Sequence, residues 1–190
     1  RPQFVKAAPV SRVLRQTFRE VLVHTGQHYD HNMAGVFFEE LNIPKPDYNL
    51  DVGSGSHGRQ TGEMLIRLEE AMQREKPDAI LVYGDTNSTL AGALAGSKLH
   101  IPVFHVEAGL RSFNKAMPEE INRVMTDHVS SLLFAPTATA VRNLELENIR
   151  QGVHLVGDVM YDAVLYNMRL AQQQVPLSRF GLEDTEYFLA

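Results

Sequence analysis

The chain has 190 residues, 44% hydrophobic and 22% charged, with a formal net charge of −5 and no cysteine. That length admits one large domain, or one domain and part of another, and the balance is that of an ordinary globular protein. Mild acidity argues against nucleic-acid binding by phosphate neutralisation. No apolar run approaches the roughly 20 residues that span a bilayer, and a chain without cysteine has neither disulfides nor thiolate metal sites.

Taken in order, strand and helix patterns alternate. Apolar residues at helical spacing in APVSRVLRQTF (8–18) lead into the strand EVLVHT (20–25). A helix, NMAGVFFEELN (32–42), stops before Pro44, and PDYNLDV (46–52) reads as a short strand before the loop GSGSHG (53–58). A long amphipathic helix follows (59–76), then strand DAILVYG, helix 87–100, strand PVFHVEAG and helix 118–131. Strand LLFAP, helix 137–148, strand VHLVGD and helix 159–174 complete the regular order. Near-continuous apolar strands alternating with helices imply a parallel sheet covered on both faces, a doubly wound α/β fold. The ends break the pattern: a first strand is expected before the opening helix, and TEYFLA (185–190) reads as a strand leading elsewhere. The expected division is a domain over 1–182 lacking its first strand, with 183–190 beginning a second.

Two strands finish on an acid: AILVYGD on Asp85 and VFHVEAG on Glu107. A third acidic feature, MPEEINR, opens a helix after Pro118, which suits a first turn. In open α/β sheets ligands bind outside the carboxyl ends of the strands. Asp85, Glu107 and one of Glu119 or Glu120 are therefore expected at one crevice, since adjacent helical residues point about 100° apart and only one of that pair can face it. Clustered carboxylates raise one another's pKa, which readies one for proton exchange. Each has a plainer alternative. Asp85 can cap the helix that follows it, Glu119 and Glu120 can serve the dipole of their own helix, and Glu119 stands four before Arg123, the spacing of a surface pair.

Arg1 and Lys6 flank the N-terminal end of the first helix, where free N–H groups favour anions. His24, His28 and His31 lie at a strand end and in a loop without fixed geometry, and no metal site is expected. The glycines of GSGSHG lack the Lys-Ser/Thr ending of a phosphate-binding P-loop.

RPQFVKAAP, TGQHYD, GRQTGEML, YGDTNST, HVEAGLRS and MPEEINR, in this order and spacing, resemble the non-hydrolysing UDP-N-acetylglucosamine 2-epimerases from Arg1 to about Val164. The resemblance implies one half of an enzyme with two Rossmann-like domains facing across a cleft, similar to the GT-B glycosyltransferases. It implies that Asp85, Glu107 and Glu119 handle protons, that Arg1 and Lys6 lie near the substrate's phosphates, and that no cofactor is needed. Gln27, Arg59 and Gln60 match positions that contact a second, activating UDP-GlcNAc in bacterial members, and Asp30 stands where a glutamine is often found. The implied protein is a cytoplasmic homodimer that interconverts UDP-GlcNAc and UDP-ManNAc for surface polysaccharide synthesis, by expelling and re-adding UDP. The alternatives are a hydrolysing 2-epimerase, a GT-B-type glycosyltransferase, or a catalytically silent sugar-nucleotide binding module. The chain by itself is expected to be inactive.

Overall fold

A computed structural model describes residues 3–26, 45–174 and 181. Within them the order is α1 (Phe4–Leu14), β1 (Val23–His24), β2 (Tyr48–Asn49), α2 (His57–Glu75), β3 (Ile80–Tyr83) and α3 (Asn87–Lys98), followed by β4 (Val103–Val106), α4 (Pro118–Val129), β5 (Leu132–Ala135), α5 (Ala138–Leu146), β6 (Val153–Leu155) and α6 (Val159–Gln174). The helix expected at 32–42 and the strand at 185–190 lie outside the described residues.

All described pairings are parallel. β3, β4, β5 and β6 lie side by side in chain order, and β1 pairs with β2. Helices α2 and α4 both pack on α3. Helices α1 and α6 pack on each other, with the Arg12 guanidinium 3.5 Å from the Tyr166 ring centre. This is the doubly wound parallel sheet that the alternation predicts.

The strands are short and apolar because both faces are covered: Val82, Val103, Val106, Leu133 and Ala135 are all buried. One core cluster lies between helix and sheet, where Met64, Leu68 and Met72 of α2 meet Ala91 and Ala95 of α3. Val23 and Leu50, from the β1–β2 side, and Ile80 of β3 pack against the same cluster, which ties the two sheets to one core. A second forms around Ala108, Leu133 and Leu144. Together these clusters fix the carboxyl ends of β3 and β4, from which the acids project.

Candidate active site

Asp85 follows β3 directly after Gly84. The cap of α3 is Thr86, whose hydroxyl accepts from the Thr89 backbone N–H while Thr89 answers with its own hydroxyl to the Thr86 N–H. The cap that Asp85 might have supplied is thus filled by its neighbour, and the Asp85 carboxylate is left to pair with Arg123 of α4. Asn122, one residue earlier on α4, donates to the Asp85 backbone carbonyl at 2.9 Å.

Glu107 leaves β4 in the left-handed region, with φ at 71°. A non-glycine residue there is uncommon and costs about 1–3 kcal/mol, which surrounding structure must offset. Here the N–H groups of Glu107 and Ala108 both donate to the Phe134 carbonyl of β5, at 3.1 and 3.2 Å. The twist turns the Glu107 carboxylate toward α1, where Lys6 forms an ion pair with it. The neighbouring turns are close-packed at two glycines. A Cβ on Gly84 would lie 2.8 Å from the Gln3 side chain, and one on Gly109 2.4 Å from the Ala140 carbonyl oxygen.

The pair at the start of α4 divides sharply. Glu120 is buried and its carboxylate clamps the preceding loop, accepting from the Ser112 N–H and hydroxyl, the Phe113 N–H and Arg123. Burial alone would push its carboxyl up. The hydrogen bonds from the Ser112 N–H, Arg123, the Phe113 N–H and the Ser112 hydroxyl outweigh that and hold it down at about 2. Glu119 is exposed and makes no hydrogen bond or ion pair among the described residues. Arg123, which the spacing offered to Glu119, instead bridges Glu120 and Asp85.

Lys6, Glu107, Asp85 and Arg123 therefore meet around the carboxyl ends of two neighbouring strands. Glu107 keeps 12% of its side-chain surface exposed and Asp85 29%, so both remain reachable by a ligand. The anticipated cluster of mutually repelling acids is, in the structure, a set of acid–cation pairs. Of Glu119 and Glu120, both weighed from the sequence, it is Glu120 that turns inward; sequence reasoning missed Arg123 as the partner of Asp85 and the buried His105–Asp127 pair beneath the site, whose one signal was a histidine inside an otherwise apolar strand.

Other anticipated residues fall elsewhere. Arg1 and Gln27, with His28, Asp30 and His31, lie outside the described residues. Arg59 is exposed at the start of α2 and lines a cleft with Gly53, Ser54, Glu63 and Arg67. Gln60 is buried, donating to the Gly53 carbonyl at 2.7 Å and accepting from Asn87 at 2.8 Å. Among the described residues no group of three metal-ligating side chains gathers, and no helix is long and apolar enough to cross a membrane.

Fold and rim together define a Rossmann-like α/β domain with acid–cation pairs at its strand ends. The chain belongs to the UDP-N-acetylglucosamine 2-epimerase family, whose sequence profile matches residues 12–190. It is 58% identical to a UDP-N-acetylglucosamine 2-epimerase homolog of Methanococcus maripaludis, covering 100% of this chain and 54% of that protein. It is 55% identical to the UDP-2,3-diacetamido-2,3-dideoxy-D-glucuronate 2-epimerase of Pseudomonas aeruginosa, over 94% of this chain and 52% of that one. The crystal structure of Methanocaldococcus jannaschii UDP-GlcNAc 2-epimerase in complex with UDP-GlcNAc and UDP superposes with a TM-score of 0.89 at 52% identity, covering 93% of this chain and 49% of that chain. The chain thus spans about half the length of the relatives it matches.

Proposed function

We propose that the whole protein is a non-hydrolysing 2-epimerase of a UDP-linked 2-acetamido sugar, with UDP-GlcNAc and UDP-ManNAc as its pair. The observation that carries this is Glu107, held in a left-handed backbone at a strand end against Lys6. Inverting C2 requires removing a hydrogen that is not acidic enough for direct exchange. A carboxylate takes the C2 proton, the C2–H electron pair becomes a C1=C2 double bond, and the C1–O bond breaks with its electrons leaving on UDP. Protonation of the glycal from the other face and re-addition of UDP complete the inversion, which calls for acid/base groups on both faces.

The ion pair fits this sequence electrostatically. When Glu107 accepts a proton its charge is lost, and Lys6 is released to the diphosphate as negative charge builds on it. Asp85, with Arg123 beside it, is the second proton-handling group, and solvent-facing Glu119 the third. Arg1 joins Lys6 near the phosphates. The finer expectations of the resemblance stand with this proposal: a second UDP-GlcNAc at Gln27, Arg59 and Gln60, a cytoplasmic homodimer serving polysaccharide synthesis, a second domain from residue 183, and inactivity of the 190-residue chain alone.

A second substrate stands beside this one, because identity to the diacetamido-glucuronate epimerase, 55%, falls between the 58% to the UDP-N-acetylglucosamine 2-epimerase homolog and the 52% to the UDP-N-acetylglucosamine 2-epimerase of Methanococcus maripaludis. The C2 chemistry is the same, and only the C3 and C6 substituents differ. Incubating full-length protein with each UDP-sugar, without acceptor, tests both readings. Accumulation of the C2 epimer supports epimerisation, and the faster substrate names the pair. Free sugar with steady UDP release would indicate a hydrolysing enzyme, and no turnover of either sugar would favour a transferase or a binding module.

A further inference from the structure

His105 of β4 and Asp127 of α4 are fully buried, and no proton transfer of the proposed reaction uses them. His105 Nδ1 lies 2.6 Å from Asp127 Oδ1, and its Nε2 lies 2.8 Å from the carbonyl oxygen of Gly84. The Gly84 carbonyl can only accept, so Nε2–H donates to it, and Nδ1 shares a hydrogen with the Asp127 carboxyl group. The other oxygen of Asp127 accepts from the Gly109 N–H at 3.0 Å and from Arg111 at 2.7 Å. Arg111 in turn grips Glu147 with two hydrogen bonds of 2.7 and 2.8 Å, and Asn143 donates to the Gly109 carbonyl at 2.9 Å. Exposed His128 lies 3.3 Å from Glu147 Oε2, the oxygen that also accepts from Arg111.

The sequence positions of the two anchored glycines matter. Gly84 immediately precedes Asp85, and Gly109 comes two residues after Glu107. One buried imidazole–carboxylate pair therefore grips both acid-bearing turns, one through a carbonyl and the other through an N–H. Buried ionic groups are poor stabilisers, since well-packed apolar side chains of similar volume often do as well or better. What such groups supply here is direction: one hydrogen bond of fixed geometry on each side of a rigid ring. We propose that His105 and Asp127 are positioning residues that set the separation and aim of the Asp85 and Glu107 carboxylates, and this role in catalysis rests on the epimerase reading above.

The test uses full-length protein, wild type and His105→Asn, with UDP-GlcNAc. The variant is expected to lose about 100-fold in kcat, the scale of an ångström-sized misplacement, with KM held within about threefold. Amide hydrogen exchange at Gly84 and Gly109 should accelerate together by about tenfold, while Leu68 and Met72 of α2 stay unchanged. Unchanged kcat, exchange that responds in only one turn or neither, or kcat and KM degrading together with loosening throughout the core would each overturn the proposal. If wild type turns over no UDP-sugar, the epimerase reading fails by itself, and the exchange arm still decides whether one pair governs both turns. Should His105→Asn not fold, Asp127→Asn takes its place.

Discussion

Lys6, in the first turn of α1, is ion-paired to Glu107, 101 positions further along the chain. The pair brings the opening helix to the carboxyl end of β4, and it ties the acid proposed to move a proton to the cation proposed to receive the diphosphate. In full-length protein, Glu107→Gln should lower turnover by about 10²–10⁴-fold, the usual worth of a general acid or base. UDP affinity, measured by calorimetry, should change far less. Lys6→Met should weaken both. Equal losses of turnover and UDP binding in Glu107→Gln would assign the residue to binding.

The adjacent acids of α4 should separate by pH. Glu120 is held near 2 against an ordinary 4.5, so it stabilises the fold above pH 4.5, and that contribution is lost as pH falls from about 5 toward 2. A shift of this size corresponds to about 3 kcal/mol. Glu120→Gln should therefore lower Tm clearly at pH 7, with the gap to wild type closing as the solution is acidified. Glu119→Gln, at an exposed position, should alter stability by less than about 0.5 kcal/mol. A fall in turnover without a fall in Tm would mark Glu119 as a proton-handling group.

The contrast between those neighbours shows what the sequence could and could not say. Apolar runs such as ILVY and VFHV announce buried parallel strands because covered sheets require them, and the acid after each run is visible at once. Helical spacing also says that only one of Glu119 and Glu120 can point inward, but the phase of α4 is set by packing, and it turned Glu120 in. Arg123 looked like the partner of Glu119 at i+4. In the fold it serves Glu120 at i+3 and Asp85, 38 positions away. Long-range pairs of this kind, with Lys6–Glu107 and His105–Asp127, leave no periodic trace. Positive φ at Glu107 was equally hidden, because acids do not advertise a left-handed turn as glycine does.

Gly109 offers a check on the turn itself. Its φ is 80°, and an added Cβ would lie 2.4 Å from the Ala140 carbonyl oxygen. Gly109→Ala should lose at least about 2 kcal/mol of stability in denaturant unfolding, since the left-handed region alone costs about 1–3 kcal/mol before the clash is counted. A loss below about 0.5 kcal/mol would mean the turn relaxes freely and is not the rigid support described.

The proton transfer at C2 is tested most directly by running full-length wild type and Glu107→Gln with UDP-GlcNAc in D2O and following C2 by NMR. Wild type should place one deuterium at C2 of the epimer and, on reversal, of the recovered substrate, while Glu107→Gln shows little of either. An epimer that keeps its original hydrogen in D2O, or undiminished exchange in Glu107→Gln, would contradict the account.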